Sequence, residues 1–267
     1  MKIGYVQFAP VFGDIEANIV QIDKYLDECA GAELVVLPEL CSTGYNFASR
    51  EQALELSEGY EESRFLAFLA EKCKERNLHV VAGFNERDGE KLYNSAALIG
   101  PGGPLGRYRK MHLFWNEKDI FEPGDLGLPV FDVGGVKVGI LICFDWQFPE
   151  VWRILALRGA EIVCHPSNLV LPELAQRAVP LHAMLNRMFV VLANRFGSEG
   201  ELTFTGCSIL TDPRGNVISE APADLPYIGL VEIDPAAARD KSVTPRNDLI
   251  KDRRPGEYGE LIKNCDH

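Results

Sequence analysis

Three strand-like runs each end in a residue able to do acid–base or nucleophilic chemistry. "AELVVLPEL" runs into Glu39, "LGRYRK" closes on Lys110, and "VKVGILIC" closes on Cys143. A thiol becomes a nucleophile when a base takes its proton. A carboxylate with a raised pKa can be that base, and an ammonium group can neutralise the oxyanion of a tetrahedral intermediate. Singly, each residue has an ordinary alternative. Glu39 could be a loop carboxylate or half of a salt bridge, Lys110 a solvated cation, and Cys143 a buried thiol. Their combination points to chemistry: one at each strand end, in chain order, where sheets of α/β proteins bind ligands.

The flanking residues sharpen the reading of Cys143. "FDWQFPE" follows it, supplying Asp145 and then Pro149 at an expected helix start. The thiol would therefore sit on a strand-to-helix turn, where backbone N–H groups can face an oxyanion. Cys164, in "AEIVCHPSN", also ends a strand pattern and has His165 beside it. Neighbours on an extended chain point to opposite faces, which argues against a Cys-His dyad there. The five histidines form no H-x-x-x-H or H-x-x-E-H pair, so a catalytic zinc is not expected. "GPGGPLGRYRK" lacks the GK[ST] of a phosphate loop and reads as a hairpin turn.

The elements that must carry these residues follow from periodicity. "KIGYVQFAP" is a strand, and Asp14 is a plausible cap for a helix whose apolar stripe is Ile15, Ile19, Ile22, Leu26 and Cys29. The "AELVVLPEL" strand should run parallel to the first. "ESRFLAFLAEKCKERN" is a second helix, with Phe65, Leu69 and Cys73 on its buried side. From 78 to 110, three runs separated by RDGE and GG suit an antiparallel meander. The pattern then repeats with "KVGILIC", a helix from about Pro149 to Arg158, "AEIVCHP", a helix across 172–187, and "MFVVLANR". A second antiparallel set is expected in "FTGCSILTD", "NVISE" and "YIGLVEID", broken by the turn at 213–216. Two such halves predict an α/β fold, a four-layer α-β-β-α sandwich of two mixed sheets. No linker separates them, so residues 1–267 read as one domain. Residues 234–267, polar and Pro/Gly-punctuated, read as a C-terminal arm packing at a subunit interface.

Composition bounds the partners. With 27 Lys+Arg against 39 Asp+Glu the formal charge is −12, which argues against nucleic acid or an anionic membrane, since either needs a concentrated basic face. The seven cysteines are odd in number and show no CxxC spacing, as in a reducing compartment. The N-terminus lacks the apolar run of a signal peptide, and no window reaches membrane-spanning length. A cytoplasmic protein is expected.

The ordered set resembles the Glu-Lys-Cys motifs of the nitrilase superfamily of carbon–nitrogen hydrolases: "LPEL" with Glu39, "YRKMHLF" with Lys110 and "ICFDWQFPE" with Cys143. Further stretches agree along nearly the whole chain, among them "GYNF", "LYNSA", "FEPGD", "LRGAEIV", "ANRFG", "FTGCSIL" and "DRRP". The resemblance implies the same sandwich fold, a homodimer or higher homo-oligomer, and no metal or organic cofactor. It implies that Cys143 attacks the carbonyl carbon, that Glu39 is the base, and that Lys110 with the Phe144 backbone N–H holds the oxyanion. Glu117, in "HLFWNEK", matches a second glutamate of many members and would orient Lys110 or the substrate.

The resemblance also bears on the substrate. Nitrile-specific members carry Cys-Trp-Glu at the nucleophile, whereas Cys143-Phe144-Asp145 is the amidase-like form. Carbamoyl-amino-acid hydrolases place arginines three and four residues after the nucleophile, where this chain has Trp146 and Gln147. The order of Trp and Gln also departs from that in N-carbamoylputrescine amidases. Tyr45, Trp115 and Trp146 are candidate pocket walls, with ordinary aromatic packing as the alternative. The expected activity is hydrolysis of a small linear amide to an acid and ammonia. Alternatives are a small nitrile or dinitrile, an N-carbamoyl amine, or a non-enzymatic small-molecule binding protein on the same fold.

Overall fold

The computed structural model describes residues 1–263. The first half runs β1 (Lys2–Gln7), α1 (Ile15–Glu28), β2 (Leu34–Val36), α2 (Arg50–Glu55), β3 (Glu58–Gly59), α3 (Arg64–Arg76), β4 (His79–Asp88), β5 (Lys91–Gly100), β6 (Gly103–Arg109) and the short α4 (Glu117–Ile120). Local chemistry sets the helix ends. Asp14 accepts from the Ala17 N–H at the start of α1, and Ser63 accepts from the Leu66 N–H at the start of α3, where Asn77 in a left-handed conformation closes the last turn.

The second half repeats the scheme: β7 (Val130–Val133), β8 (Val136–Ile140), α5 (Pro149–Leu157), β9 (Ile162–Pro166), α6 (Leu174–Asn186), β10 (Phe189–Ala193), the hairpin β11 (Phe196–Glu199) and β12 (Leu202–Thr205), β13 (Ile209–Thr211), β14 (Val217–Glu220) and β15 (Tyr227–Glu232). The first sheet has the order β15-β1-β2-β4-β5-β6, with β3 added to β4. The second has the order β14-β13-β10-β9-β8-β7. β1, β2 and β4 are parallel, as are β8, β9 and β10, and the remaining pairs within these two sheets are antiparallel except the parallel bridge of β3 to β4.

The central parallel strands are covered on both faces, so they are apolar throughout instead of alternating. In β2, Leu34 and Val36 point into the core shared with the second sheet, while Val35 points outward to Leu26 and Leu69 of α1 and α3. Trp152 and Leu155 of α5 and Val179 of α6 cover the second sheet. The layers are therefore α-β-β-α, as the repeated pattern predicts.

One expectation is corrected. "YIGLVEID" does not extend the second antiparallel set; β15 crosses to the first sheet and pairs with β1, Tyr5 opposite Gly229. The reason is steric. A Cβ on Gly229 would meet the Tyr5 ring and the Ser219 hydroxyl, so this glycine lets the Tyr5 ring reach Ser219 at 3.0 Å. Several elements carry no sequence signal strong enough to expect: α2, β3, β7 and the β11–β12 hairpin.

After residue 234 the chain forms short 3₁₀ turns and a two-strand hairpin, β16 (Ser242–Thr244) with β17 (Asn247–Asp248). It is anchored where the Lys241 ammonium donates to the carbonyls of Asn186 and Arg187 at the end of α6. The last four residues of the expected arm, with Cys265 and His267, lie outside the described residues.

Gly83 in β4 is where the fold touches the chemistry. A Cβ there would lie 2.6 Å from the Glu39 Cα and 2.7 Å from its carbonyl carbon, against backbone that cannot swing aside. Gly83→Ala should therefore lower the urea-unfolding free energy by about 1–3 kcal/mol, the usual cost of overpacking. Unchanged unfolding midpoints would show that the Glu39 segment moves freely.

Candidate active site

Glu39 lies just beyond β2. The Leu37 N–H still bonds to Val81 of β4, and the left-handed turn at Leu40 then takes the chain away, leaving the Glu39 side chain fully buried. Its Oε1 accepts from Asn94 Nδ2 of β5 and from Lys110 Nζ, both at 2.7 Å. Its Oε2 is buried and has no hydrogen-bond partner among the described residues. One oxygen is thus a fixed tether, and the other is available.

Lys110 follows the last residue of β6, its own N–H tied to Asn94 O at 2.8 Å. The ammonium is fully buried and bridges two carboxylates, donating to Glu39 Oε1 and Glu117 Oε1 at 2.7 Å each. Glu117 opens α4. Its Oε1 also accepts from the Tyr45 hydroxyl at 2.7 Å, and its Oε2 accepts from the Phe114 N–H at 3.3 Å.

Cys143 comes from the other sheet, after β8. It begins a 3₁₀ turn, Cys143–Gln147, that leads into α5. Its backbone is left-handed, with φ of +42°, a region that residues with side chains seldom occupy. Its carbonyl accepts from His165 Nε2 at 2.9 Å. The thiol faces a cavity of about 20 Å³, room for roughly one water, walled by Phe114, Phe144, Trp146 and the segment 168–171.

The charges explain the protonation states. Burial pushes the Cys143 thiol well above its usual pKa, and the nearby Glu39 charge adds to this, while Lys110 opposes it. The resting sulfur is therefore a thiol, in need of a base. Burial pulls Lys110 down, but Glu117 and Glu39 together outweigh it and hold the ammonium charged. Glu117 is pushed up to about 7, first by burial, with Lys110 pulling the other way and Glu39 pushing up.

The structure gathers Glu39, Lys110, Glu117 and Cys143, with Tyr45 touching the cluster as a hydrogen-bond donor. Phe144 and Trp146 wall the cavity. Trp115 does not; it is 61 % exposed and lines a separate cleft with Tyr45 and Glu117. Its neighbour Phe114 faces the thiol instead. A much larger cleft, about 1070 Å³, lies between the C-terminal arm and α6 and includes none of these residues. Sequence reasoning misses Asn94 and Asn168, and it considers His165 only as half of a Cys164 dyad, not as the partner of the Cys143 carbonyl. The signal for them was faint: polar residues within or just after strands buried on both faces. Among the described residues, no group of three or more His, Cys, Asp or Glu side chains is placed to hold a metal ion.

A family model described as carbon-nitrogen hydrolase matches residues 2–241. The chain is 45% identical over 260 residues to a nitrilase of Pyrococcus abyssi, spanning 97% of this chain and 99% of that one. It is 35% identical to an (R)-stereoselective amidase of Pseudomonas sp, spanning 100% and 96%. Among solved structures, a carbon-nitrogen hydrolase of Helicobacter pylori G27 superposes with a TM-score of 0.89 at 28% identity, covering 98% of each chain. An amidase of Nesterenkonia sp. AN1, seen with acrylamide added at its active-site cysteine, gives 0.82 at 27% identity, covering 98% of this chain and 100% of that one.

Glu117 should leave a signature in stability. Its carboxyl has an ordinary value of 4.5 and is raised to about 7 in the fold. Between those values the folded protein holds a proton that the unfolded chain has released. The stability it contributes is complete below the unfolded value and is lost as the pH rises through the folded one. Wild type should therefore lose melting temperature relative to Glu117→Gln as the pH is raised across that interval. Parallel melting curves would mean that Glu117 does not hold the proton.

Proposed function

The chain belongs to the carbon–nitrogen hydrolase family, and on that premise we propose that it hydrolyses a small, uncharged linear amide through a Cys143 thioester. In this reading Glu39 Oε2 takes the Cys143 proton as the sulfur attacks the amide carbon. The resulting oxyanion is held by the Lys110 ammonium and the Phe144 backbone N–H. Glu39 returns the proton to the amine nitrogen, ammonia leaves and a thioester remains. Glu39 then takes a proton from water, the hydroxide adds to the thioester, and the acid departs as the thiol is restored. Glu117 keeps Lys110 placed between the two carboxylates.

One observation carries the reading: a buried carboxylate with one oxygen fixed by a buried ammonium and the other without a partner among the described residues, beside a thiol that cannot ionise alone. A small uncharged substrate is supported by a cavity whose lining residues carry no charge. A second reading, hydrolysis of a small nitrile, is favoured by the likeness to the Pyrococcus abyssi nitrilase. The thiol would add to the nitrile to give a thioimidate, and water would convert this to the thioester with loss of ammonia. Self-association through α5 and α6 with a second copy is part of the proposal. Its support is the exposed apolar row Ile154, Leu157, Leu181 and Leu185 on these two neighbouring helices. Light scattering at micromolar concentration should report at least a dimer, and a monomer would remove this part.

The deciding experiment is ammonia release from amides, carbamoyl amines and dinitriles assayed in parallel. Cys143→Ala should abolish turnover with the fold intact, while Cys164→Ala, whose thiol is sealed in the core, keeps most of it. Glu39→Gln preserves shape but cannot accept a proton, and should lose at least about 10²-fold, the lower end for loss of a general base. A Glu39→Gln enzyme within tenfold of wild type would make this carboxylate a structural one.

A further inference from the structure

We propose that Asp145 and His112 form a positioning clamp that sets the Cys143 turn against the Lys110 segment. The proposal rests on the reading of Cys143 as nucleophile and Lys110 as oxyanion donor. Those two groups come from different sheets, and nothing in either sheet's own ladder fixes their separation.

Asp145 is completely buried, and its carboxylate spends both oxygens on this task. Oδ2 accepts from the Ile142 N–H at 2.9 Å and from the Tyr108 hydroxyl at 2.8 Å. Oδ1 accepts from His112 twice, from the ring Nδ1–H at 2.8 Å and from the backbone N–H at 3.2 Å. Ile142 immediately precedes Cys143, while Tyr108 and His112 stand two residues either side of Lys110. One carboxylate therefore bonds to the nucleophile turn and to both flanks of the lysine.

The backbone of the turn needs such a hold. Ile142 is extended, Cys143 is left-handed at φ +42°, and the Asp145 N–H returns to Ile142 O at 3.0 Å. A left-handed residue with a side chain persists where its surroundings over-determine it. Here His165 grips the Cys143 carbonyl from below, its ring kept neutral by burial, with a pKa pushed down to about 4. Asp145 grips the preceding N–H. Of the two, Asp145 alone reaches the lysine segment. The His112 ring lies flat on Phe148, centroids 3.6 Å apart, which aims Nδ1 at the carboxylate.

Two variants of His112 separate hydrogen bonding from mere packing. His112→Ala removes the donor and the stack. His112→Asn also removes the ring but places an amide N–H close to where Nδ1 stood. Displacement of a reacting group by about 1 Å can cost on the order of 10²-fold. We therefore expect kcat for His112→Ala to fall about tenfold or more with KM within about threefold, and His112→Asn to recover most of the loss. The rate of Cys143 alkylation by iodoacetamide, read by peptide mass spectrometry, should fall and recover in step. Tyr108→Phe deletes one hydroxyl alone and serves if the alanine variant does not fold; its kcat should drop with KM unchanged.

A kcat for His112→Ala, or for Tyr108→Phe in its place, equal to wild type overturns the clamp, as does His112→Asn performing no better than His112→Ala. Cys143→Ala is assayed alongside. If it is inactive while the clamp variants are unaffected, the clamp alone fails. If it retains turnover, the nucleophile assignment fails and the clamp with it.

Discussion

The Lys110 ammonium, fully desolvated between Glu39 and Glu117, is the constraint on which the rest of the structure turns. An exposed pair of this kind would contribute at most about 1 kcal/mol. Buried, its members cannot do without one another, because removing one partner from such a pair costs about 3–5 kcal/mol. The surroundings answer that demand. Asn94 shares Glu39 Oε1, while Tyr45 and the Phe114 N–H serve Glu117. A further layer fixes Tyr45: Glu199, paired with Arg195, accepts from the backbone N–H groups of Tyr45 and Asn46. Gly83 and Gly124 have no Cβ, which lets the Glu39 segment lie on β4 and the 121–125 loop lie on Arg109.

The sandwich matters because it puts two independent sets of strand ends face to face. β2 and β6 deliver the carboxylate and the ammonium from one sheet, and β8 delivers the thiol from the other. Their common core of interdigitated aliphatic side chains sets the spacing of the layers. Polar ties across the layers add to their lateral register, among them Asn168 Nδ2 to Glu39 O at 3.0 Å, Tyr5 to Ser219, and Tyr108 and His112 to Asp145. Groups set just beyond rigid strand ends and held by supporting hydrogen bonds are placed better than groups on long loops.

Much of this was legible in the chain, for physical reasons that differ by element. Helices α1 and α3 and the meander β4–β6 announce themselves through periodicity, caps and turn chemistry. Glu39, Lys110 and Cys143 stand out because each closes a strand-like run, in chain order, and together they make a base, a cation and a nucleophile. The crossing of β15 was not legible, since a strand pattern says which residues are extended and not which neighbour they pair with. Gly229 opposite Tyr5 is the clue, and it becomes one only once the register is known. Trp115 and Phe114 make the same point at smaller scale. Of these adjacent aromatics Phe114 lines the thiol cavity while Trp115, left-handed in its backbone, does not, and sequence alone does not say which.

In the proposed roles, charge balance bears on what such a site would accept. Were both glutamates ionised beside the charged Lys110, the cluster would carry one net negative charge, and a Cys143 thiolate would make it two. The raised thiol and the Glu117 carboxyl near 7 both express that pressure. A carboxylate-bearing substrate would add another negative charge, and the lining of the thiol cavity holds no cation to meet it. Lys110 cannot be spared, because its bonds to the two glutamates are what keep it in place. A neutral amide or nitrile adds no charge on entering. Its negative charge appears only as the sulfur adds, on the atom that Lys110 faces in the proposed roles. Electrostatic stabilisation given at that moment, and withheld before it, is what lowers a barrier instead of merely tightening binding.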